Sequence, residues 1–194
     1  MTVSDWPVPV EGVVESIVTT EGPNGLWNVA ALGLQGGDGE DDVTARTWGR
    51  TRTWRNFRER GGGYVQFSRD PVDFVEAALA VREEESPVLD SADAWVEVAV
   101  ERLDSGTAGG TEWVDWRLEP LDSTVVRETV PVTSRGHCAV VEATVAASRL
   151  DVDAYDTETL RERLAYFADV VKRCGGPRER AAFQRVRDLS DWEE

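Results

Sequence analysis

The chain has 194 residues, of which 37 are acidic and 21 are basic, so its formal net charge is −16 at pH 7. Hydrophobic residues make up 41% of the sequence, which is enough for a packed core and excludes an intrinsically disordered chain. The length suits one domain, or one domain with an appendage. No run of about 18 apolar residues is present, so the sequence predicts no membrane span. The first residues do not resemble a secretory signal.

The basic residues are arginines with a single exception, Lys172. Many carboxylates with almost no lysine favour a protein that works in strong salt, because a Debye length of about 3 Å at 1 M salt screens their repulsion. We therefore predict a cytoplasmic protein of a salt-accumulating prokaryote, with Cys138 and Cys174 as free thiols. A generic acidic protein from a GC-rich genome is the alternative. The negative charge also argues against duplex DNA, and we expect no nucleic-acid partner.

The first two thirds of the chain are rich in predicted strands. Residues 13–20 and 26–34 are apolar and β-branched, and the turn formers of Glu21–Gly25 lie between them, which predicts a β-hairpin. A polar loop is predicted at 35–42. Further strands are predicted at 43–49, 63–68, 94–103, 111–118 and 123–130.

Four helices are predicted. Asp70 as N-cap and Pro71 as first residue predict a helix that ends at Glu83–Pro87. In the last third, helices are predicted at 137–149, with Val141 and Val145 on one face, at 158–174, and from Pro177 onwards. The last two should form a helical hairpin. This order of elements predicts an α+β fold, with a β-rich domain over 1–135 that contains one inserted helix, and a helical region over 136–194 packed on it.

One segment reverses the charge of the chain. Residues 43–60 contain six arginines and one glutamate, a net charge of +5 within a chain of −16. Arginine offers forked donors for phosphate oxygens, and the interleaved threonines add hydroxyl groups. If Thr53 caps a short helix, the backbone N–H groups of Trp54 to Asn56 also point at an anion. The segment therefore predicts a site for a small anionic ligand, most simply a phosphate.

Two other interpretations of this segment remain open. Its arginines could pair with surrounding carboxylates or mark a dimer contact, since Trp48, Trp54 and Phe57 lie among them. A single-stranded nucleic acid would also use arginines beside aromatic rings, although the segment is short and the rest of the chain repels phosphates. The same aromatic rings could instead fill the core of the monomer.

Other chemical motifs are weaker. His137 is the only histidine and the cysteines lack metal-ligand spacing, so we predict no metal site. The acidic run Gly37–Asp42 lacks the spacing of a calcium loop and is interpreted as a solvated loop. Gly61–Gly63 lacks the spacing of a phosphate-binding glycine loop and is interpreted as a turn. No residue stands out as a catalytic acid, base or nucleophile.

Several motifs together resemble a family of archaeal and bacterial proteins, the domain-of-unknown-function 447 family. Glu15–Thr20 (ESIVTT) and Trp27–Gly33 (WNVAALG) resemble its first hairpin, and Thr51–Asn56 resembles its Thr-x-x-Asn segment. Tyr64–Pro71 resembles its next strand and helix start, and Ser134–Leu150 resembles its Asn-Arg-Gly helix. Two departures are Ala31, where the family often has Pro, and Ser134, where it often has Asn.

That family is similar to the FMN-binding split β-barrel proteins, which are usually homodimers. The resemblance therefore implies an α+β split β-barrel of the FMN-binding type with a C-terminal helical hairpin, FMN as cofactor, and a homodimer. It implies that the phosphate lies at the segment Thr51–Asn56 and the flavin ring along Asn28–Gly33. The cofactor-binding residues predicted in this way are Asn28, Ala30, Ala31, Arg46, Thr51, Arg52, Thr53, Arg55 and Asn56, with Arg135 and His137 as further pocket candidates.

The leading functional hypothesis is an FMN-binding flavoprotein, with a flavin-dependent oxidoreductase of unknown substrate as its enzymatic form. The alternative is a non-catalytic dimer that binds flavin or another phosphorylated ligand. A third is a structural dimer that has lost its ligand. The sequence names no substrate, electron donor or acceptor.

Overall fold

The computed structural model describes residues 6–36 and 43–192. The strands are β1 (Val13–Glu21), β2 (Trp27–Gly36), β3 (Val43–Trp48), β4 (Gly62–Ser68), β5 (Arg82–Glu84), β6 (Ala92–Ala108) and β7 (Thr111–Val125). The helices are α1 (Arg52–Arg60), α2 (Pro71–Leu79), α3 (Arg135–Ala147), α4 (Thr157–Cys174) and α5 (Pro177–Leu189).

The chain forms two compact units. The first contains the described parts of Met1–Arg69 and Arg82–Thr129, and the second contains those of Asp70–Val81 and Val130–Glu194. Helix α2 thus groups with the C-terminal helices, whereas the sequence-based division at residue 135 treats it as an insertion in the β-rich domain. That division stays a prediction. The predicted loop at 35–42 begins within β2, and its residues 37–42 lie outside the described residues.

Six antiparallel strands of the first unit close into a barrel. The strand order is β1-β4-β6-β7-β3-β2, β1 also pairs with β2, and β5 adds to β2 as an extra strand. Val18, Val65 and Val96 lie opposite one another on β1, β4 and β6 and are fully buried. Full burial of a valine contributes roughly 1.5–3 kcal/mol. Alternate residues of each strand therefore build the barrel core.

The predicted first hairpin is confirmed. β1 and β2 pair from Val13 opposite Gln35 to Glu21 opposite Trp27. The turn between them closes with a hydrogen bond from the N–H of Gly22 to the carbonyl of Leu26 at 2.7 Å. Gly25 has a φ of 77°, which only glycine adopts without strain. The turn residues therefore fix the register of this hairpin.

The strand predictions for residues 94–130 are wrong in their bounds. The three predicted strands form one long hairpin of β6 and β7, with Gly109 and Gly110 at positive φ in its two-residue turn. Pro120 lies inside β7, next to a register irregularity on β6. Strand β7 ends at Val125, five residues before the predicted end at 130. Residues 101–108 of β6 and 119–125 of β7 are largely exposed, so backbone pairing extends both strands where their side chains give no alternating burial signal.

Helix α2 begins as predicted but ends earlier. The carboxylate of Asp70 accepts hydrogen bonds from the N–H groups of Val72 and Asp73 at 2.9 and 3.3 Å. The prediction that the helix runs to Glu83 is wrong, since it ends at Leu79 and residues 82–84 form β5. Backbone pairing of β5 with β2 takes these residues out of the helix.

The described residues of the second unit form four helices, α2 to α5. α4 packs mainly against α3, and α5 packs mainly against α2. Arg185 of α5 pairs with Glu76 of α2 at 2.8 Å. The predicted apolar face of α3 is off by one position, because Val140 is fully buried and Val141 is not. Small side chains fill this face: a Cβ on Gly136 would come within 2.6 Å of the Cα of Gly175.

Candidate functional site at the start of helix α1

Thr51 is the N-cap of α1. Its hydroxyl oxygen accepts a hydrogen bond from the N–H of Trp54 at 3.2 Å. The predicted cap, Thr53, is wrong, because Thr53 is the second residue of the helix and is 5% exposed. In the described part of the chain, the N–H groups of Arg52 and Thr53 have no acceptor, as expected for the first turn of a helix. Such groups favour an anion.

Buried amide and hydroxyl groups fix α1 on the first hairpin. Asn56, 1% exposed, donates to the hydroxyl of Thr20 at 3.0 Å and to its carbonyl at 3.3 Å. Asn28 lies directly opposite Thr20 on β2 and donates to the hydroxyl of Thr53 at 3.4 Å. Because these groups satisfy one another away from water, the position of the helix start relative to β1 and β2 is well determined.

The predicted arginines fall into two groups. Arg52 points NH1 at the carboxylate of Glu83 at 2.8 Å, and Arg55 points Nε and NH2 at the side-chain oxygen of Asn56 at 3.3 Å. Both lie on α1. Arg46 instead makes a two-point ion pair with Asp115 at 2.7 and 2.8 Å.

Arg46 is therefore not brought together with the other predicted residues. It alternates with buried Ala45 and Thr47 along β3, so it faces away from the barrel core. Its guanidinium lies 4.0 Å from the ring centroid of Trp113. The hydrogen bond that Arg46 donates to Asp115 raises the pKa of Arg46 above its ordinary value.

The aromatic rings of the same segment have different environments. Phe57 is 1% exposed and packs edge-to-face against Trp116 at 5.5 Å, so it fills the barrel core and cannot anchor a dimer. Trp54 is partly buried against the same core. Trp48 remains 48% exposed. The interpretation of these rings as core residues holds for Phe57, and only Trp48 is left as an exposed interface candidate.

Ala30 and Ala31 lie beside a gap in the sheet. β2 pairs with β5 through Trp27–Val29 and with β3 through Leu34–Gly36. Within the described residues, positions 30–33 have β1 as their only strand partner. Four strand residues span about 13 Å. One edge of β2 therefore lacks a second strand partner along residues 30–33, where Ala30, Ala31 and Gly33 are small and Leu32 is buried in the core.

Arg135 and His137 lie in the second unit, at the start of α3. Ser134 caps this helix, and its hydroxyl accepts from the N–H of His137 at 3.2 Å. Arg135 is exposed and His137 is half-buried. Their predicted role beside a ligand stays a prediction.

Sequence reasoning missed Glu83. It lies on β5, directly opposite Asn28 of β2, and is the partner of Arg52. The missed signal is weak, because Glu83 is one of three consecutive glutamates that follow a predicted helix. Only the pairing of β5 with β2 singles it out.

Two further observations concern other ligands and membranes. In residues 6–36 and 43–192, no group of three His, Cys, Asp or Glu side chains is arranged to hold a metal ion. None of the helices in that part of the chain is both long enough and apolar enough to cross a bilayer.

The fold and the open edge of β2 define this protein as a split β-barrel protein with an additional helical unit. Models of the family described as protein of unknown function (DUF447) match residues 14–127, as its N-terminal domain, and residues 134–188. The chain belongs to the DUF447 family.

One solved structure of the same family agrees with this fold over nearly the whole chain. The FMN-bound DUF447 protein from Methanosarcina mazei is 24% identical, with a TM-score of 0.79, and the match covers 93% of this chain and 96% of that one. A flavoredoxin from Methanosarcina acetivorans is 11% identical over 68% of this chain and 76% of its own, with a TM-score of 0.46. An FMN-binding protein from Thermus thermophilus is 14% identical over 63% and 79%, with a TM-score of 0.43. The predicted split β-barrel with C-terminal helices is confirmed.

Proposed function

We propose that this protein binds FMN, with the phosphate at the start of α1 and the flavin ring along the open edge of β2. The observation that carries the proposal is that the N–H groups of Arg52 and Thr53, beside an arginine side chain, find no acceptor among residues 6–36 and 43–192. The FMN-bound state of the DUF447 protein from Methanosarcina mazei supports it.

The donor set of α1 suits a phosphate. A phosphate monoester carries a charge of about −1.5 to −2 and has three acceptor oxygens. The two N–H groups, the guanidinium of Arg52 and the hydroxyl of Thr51 supply donors at one helix start, and Arg55 adds a second cation. The buried side chains of Asn28 and Asn56 fix the position of these donors through hydrogen bonds to Thr53 and Thr20. Arg46, bound to Asp115, is left out of the proposed set.

The open edge of β2 suits a flat ring. Ala30 and Ala31 have small side chains, and Gly33 has none, so a planar group can approach the backbone closely. The strand gap leaves backbone groups of residues 30–33 without a second strand partner in the described part of the chain. Such groups can donate to and accept from the polar edge of a flavin.

An oxidoreductase is the enzymatic form of this proposal. Bound flavin supplies hydride and electron transfer, and the chain's part is to hold the phosphate, orient the ring and exclude water. Non-catalytic flavin binding is the alternative. Reduction of the bound flavin by a nicotinamide nucleotide separates the two, and failure of every nicotinamide donor favours the binding role.

The test of FMN binding is a titration of the purified protein. FMN should bind with a flavin absorbance shift and fluorescence quenching, and riboflavin, which lacks the phosphate, should bind much more weakly. Binding of neither flavin would contradict the proposal and favour a ligand-free structural role. Equal affinity for FMN and riboflavin would contradict the assignment of the phosphate to the start of α1.

A homodimer, a cytoplasmic location and a high-salt environment complete the proposal. The homodimer is supported by the exposed ring of Trp48 beside Arg46, whose guanidinium lies 5.5 Å from the ring centroid. The cytoplasmic location and the high-salt environment are supported by the net charge of −16 and by the use of arginine instead of lysine at all basic positions except Lys172.

A further inference from the structure

Glu83 is the internal counter-ion of the proposed phosphate site. Its Oε1 accepts from NH1 of Arg52 at 2.8 Å, and the two side chains are 29% and 43% exposed. Within the described residues, this is the only partner of the Arg52 side chain. The arginine that the phosphate needs is therefore already engaged by a carboxylate of the same chain.

The carboxylate of Glu83 is held independently of Arg52. Its Oε2 accepts from the side-chain amide of Asn24 at 3.3 Å. Its backbone belongs to β5 and lies opposite Asn28. Glu83 thus keeps a partner and a fixed position when Arg52 turns to another anion.

We infer that Glu83 competes with the FMN phosphate for Arg52 and so sets the affinity and the phosphate selectivity of the site. This inference rests on the proposed function. When FMN binds, Arg52 exchanges the carboxylate of Glu83 for the phosphate. Glu83 then keeps only its hydrogen bond from Asn24. Riboflavin has no phosphate, so its binding does not break the pair.

The alternative role of Glu83 is to orient Arg52 for a shared contact. Two observations favour competition. The ion pair is partly exposed, so it holds the arginine weakly. A phosphate with about two negative charges beside an ionised Glu83 also adds like-charge repulsion. Loss of the charge on Glu83 should therefore strengthen FMN binding.

The experiment compares FMN and riboflavin titrations of the wild-type protein, Glu83→Gln and Glu84→Gln. Glu84 is the matched control: it lies on the same short strand, loses the same charge, and pairs with Arg82 at 2.7 Å instead of with Arg52. Glu83→Gln should lower the FMN dissociation constant about threefold to tenfold. Riboflavin affinity should stay within about twofold. Glu84→Gln should change neither.

Two further measurements sharpen the test. The gain from Glu83→Gln should shrink when KCl rises from 0.1 M to 2 M, because salt screens both the pair and the repulsion. It should also shrink in the Arg52→Ala background, since the contested side chain is then absent. A thermal melt of each variant shows whether a change in FMN binding comes from loss of folding instead of from the altered side chain.

Each outcome decides between the claims. Weaker or unchanged FMN binding by folded Glu83→Gln, with a wild type that binds FMN, overturns the competition and leaves the proposed function standing. An equal gain in Glu84→Gln also overturns it, because the effect is then one of general charge. Failure of the wild type to bind FMN overturns the proposed function itself.

Discussion

Buried neutral side chains fix the backbone near the proposed site. Gln66 is fully buried and donates to the hydroxyl of Thr19 at 3.1 Å and to the carbonyl of Pro87 at 2.9 Å. It also accepts from the N–H of Leu89 at 2.7 Å. These bonds tie the segment that follows β5 to β1 and β4. Gln66 therefore fixes the backbone a few residues beyond Glu83, whose own position comes from the pairing of β5 with β2.

At the residue scale, Arg52→Ala should weaken FMN binding and spare riboflavin. A charge-assisted hydrogen bond contributes about 1.5–3 kcal/mol, which is roughly a tenfold to hundredfold loss in affinity. The control is Arg60→Ala, which removes the same charge from the opposite end of α1. Parallel titrations of both flavins measure the effect. An equal loss of FMN affinity in the two variants would contradict a direct phosphate contact.

The stability and orientation of the short helix α1 depend largely on contacts outside its own sequence. Nine residues are marginal as an isolated helix. Thr51 caps one end, and Gly61, with a φ of 76°, ends the other. The buried bonds of Asn56 hold it against β1. Its orientation, and with it the direction of its free N–H groups, comes from these tertiary contacts.

At the element scale, the contact between α2 and α5 should weaken in acid. Arg178 donates to the carboxylate of Asp70, with Nε at 2.9 Å. Burial alone would raise the pKa of Asp70, but hydrogen bonds from Arg178 and from two backbone N–H groups hold it below 3.8. A lowered pKa means that the ionised form stabilises the folded state above pH 3.8, and that this contribution is lost as the pH falls through the folded-state pKa.

Asp70→Asn tests this contribution, because asparagine keeps the N-cap but not the charge. The wild type should exceed the variant in free energy of unfolding by up to about 1 kcal/mol at pH 6. The difference should shrink as the pH falls below 3.8 and through the lower folded-state pKa of Asp70. Denaturant unfolding at pH 6 and at several acidic pH values measures it, and a difference that stays constant down to the most acidic pH would refute the ionic origin.

At the scale of the whole molecule, the excess of carboxylates lowers the stability of the folded state through charge repulsion. The chain carries a charge of −16, and the ion pairs of the structure neutralise only part of the acidic residues. Many of these ion pairs are partly exposed, so they contribute little individually. Repulsion among the remaining carboxylates opposes compaction, and salt weakens this repulsion.

At the scale of the molecule, thermal stability should therefore rise with salt. The melting temperature should increase from 0.05 M to 2 M KCl, because the Debye length falls to about 3 Å at 1 M. Thermal melts across this range test it. A melting temperature that stays flat or falls would contradict the high-salt interpretation of the composition.

Light scattering in 2 M KCl tests the homodimer. The wild type should give twice the chain mass of 21.5 kDa. Trp48→Glu should shift the protein towards monomer, since it places a charge where an exposed ring is expected to be covered. Tyr166→Glu, which changes another exposed ring on α4, is the control. A wild-type monomer that binds FMN at micromolar concentration would rule out a ligand site that needs two chains.

The sequence by itself determined the elements whose signals are local. The first hairpin follows from its turn residues, and the start of α2 follows from Asp70, which caps it. The charged segment also pointed to Thr51–Asn56, and the family resemblance to the split barrel. These features depend on neighbours within a few residues or on motifs, and both are visible in one dimension.

Only the tertiary structure decided how distant residues meet. β5 replaces the predicted end of α2 because β2 offers it a backbone partner. Arg46 is not among the proposed phosphate-binding residues because β3 directs its side chain to Asp115 of β7. Glu83 pairs with Arg52, 31 residues away in the sequence, because β5 lies beside β2. Strand pairing creates these contacts, and the register between distant strands is set by the burial of the whole barrel core.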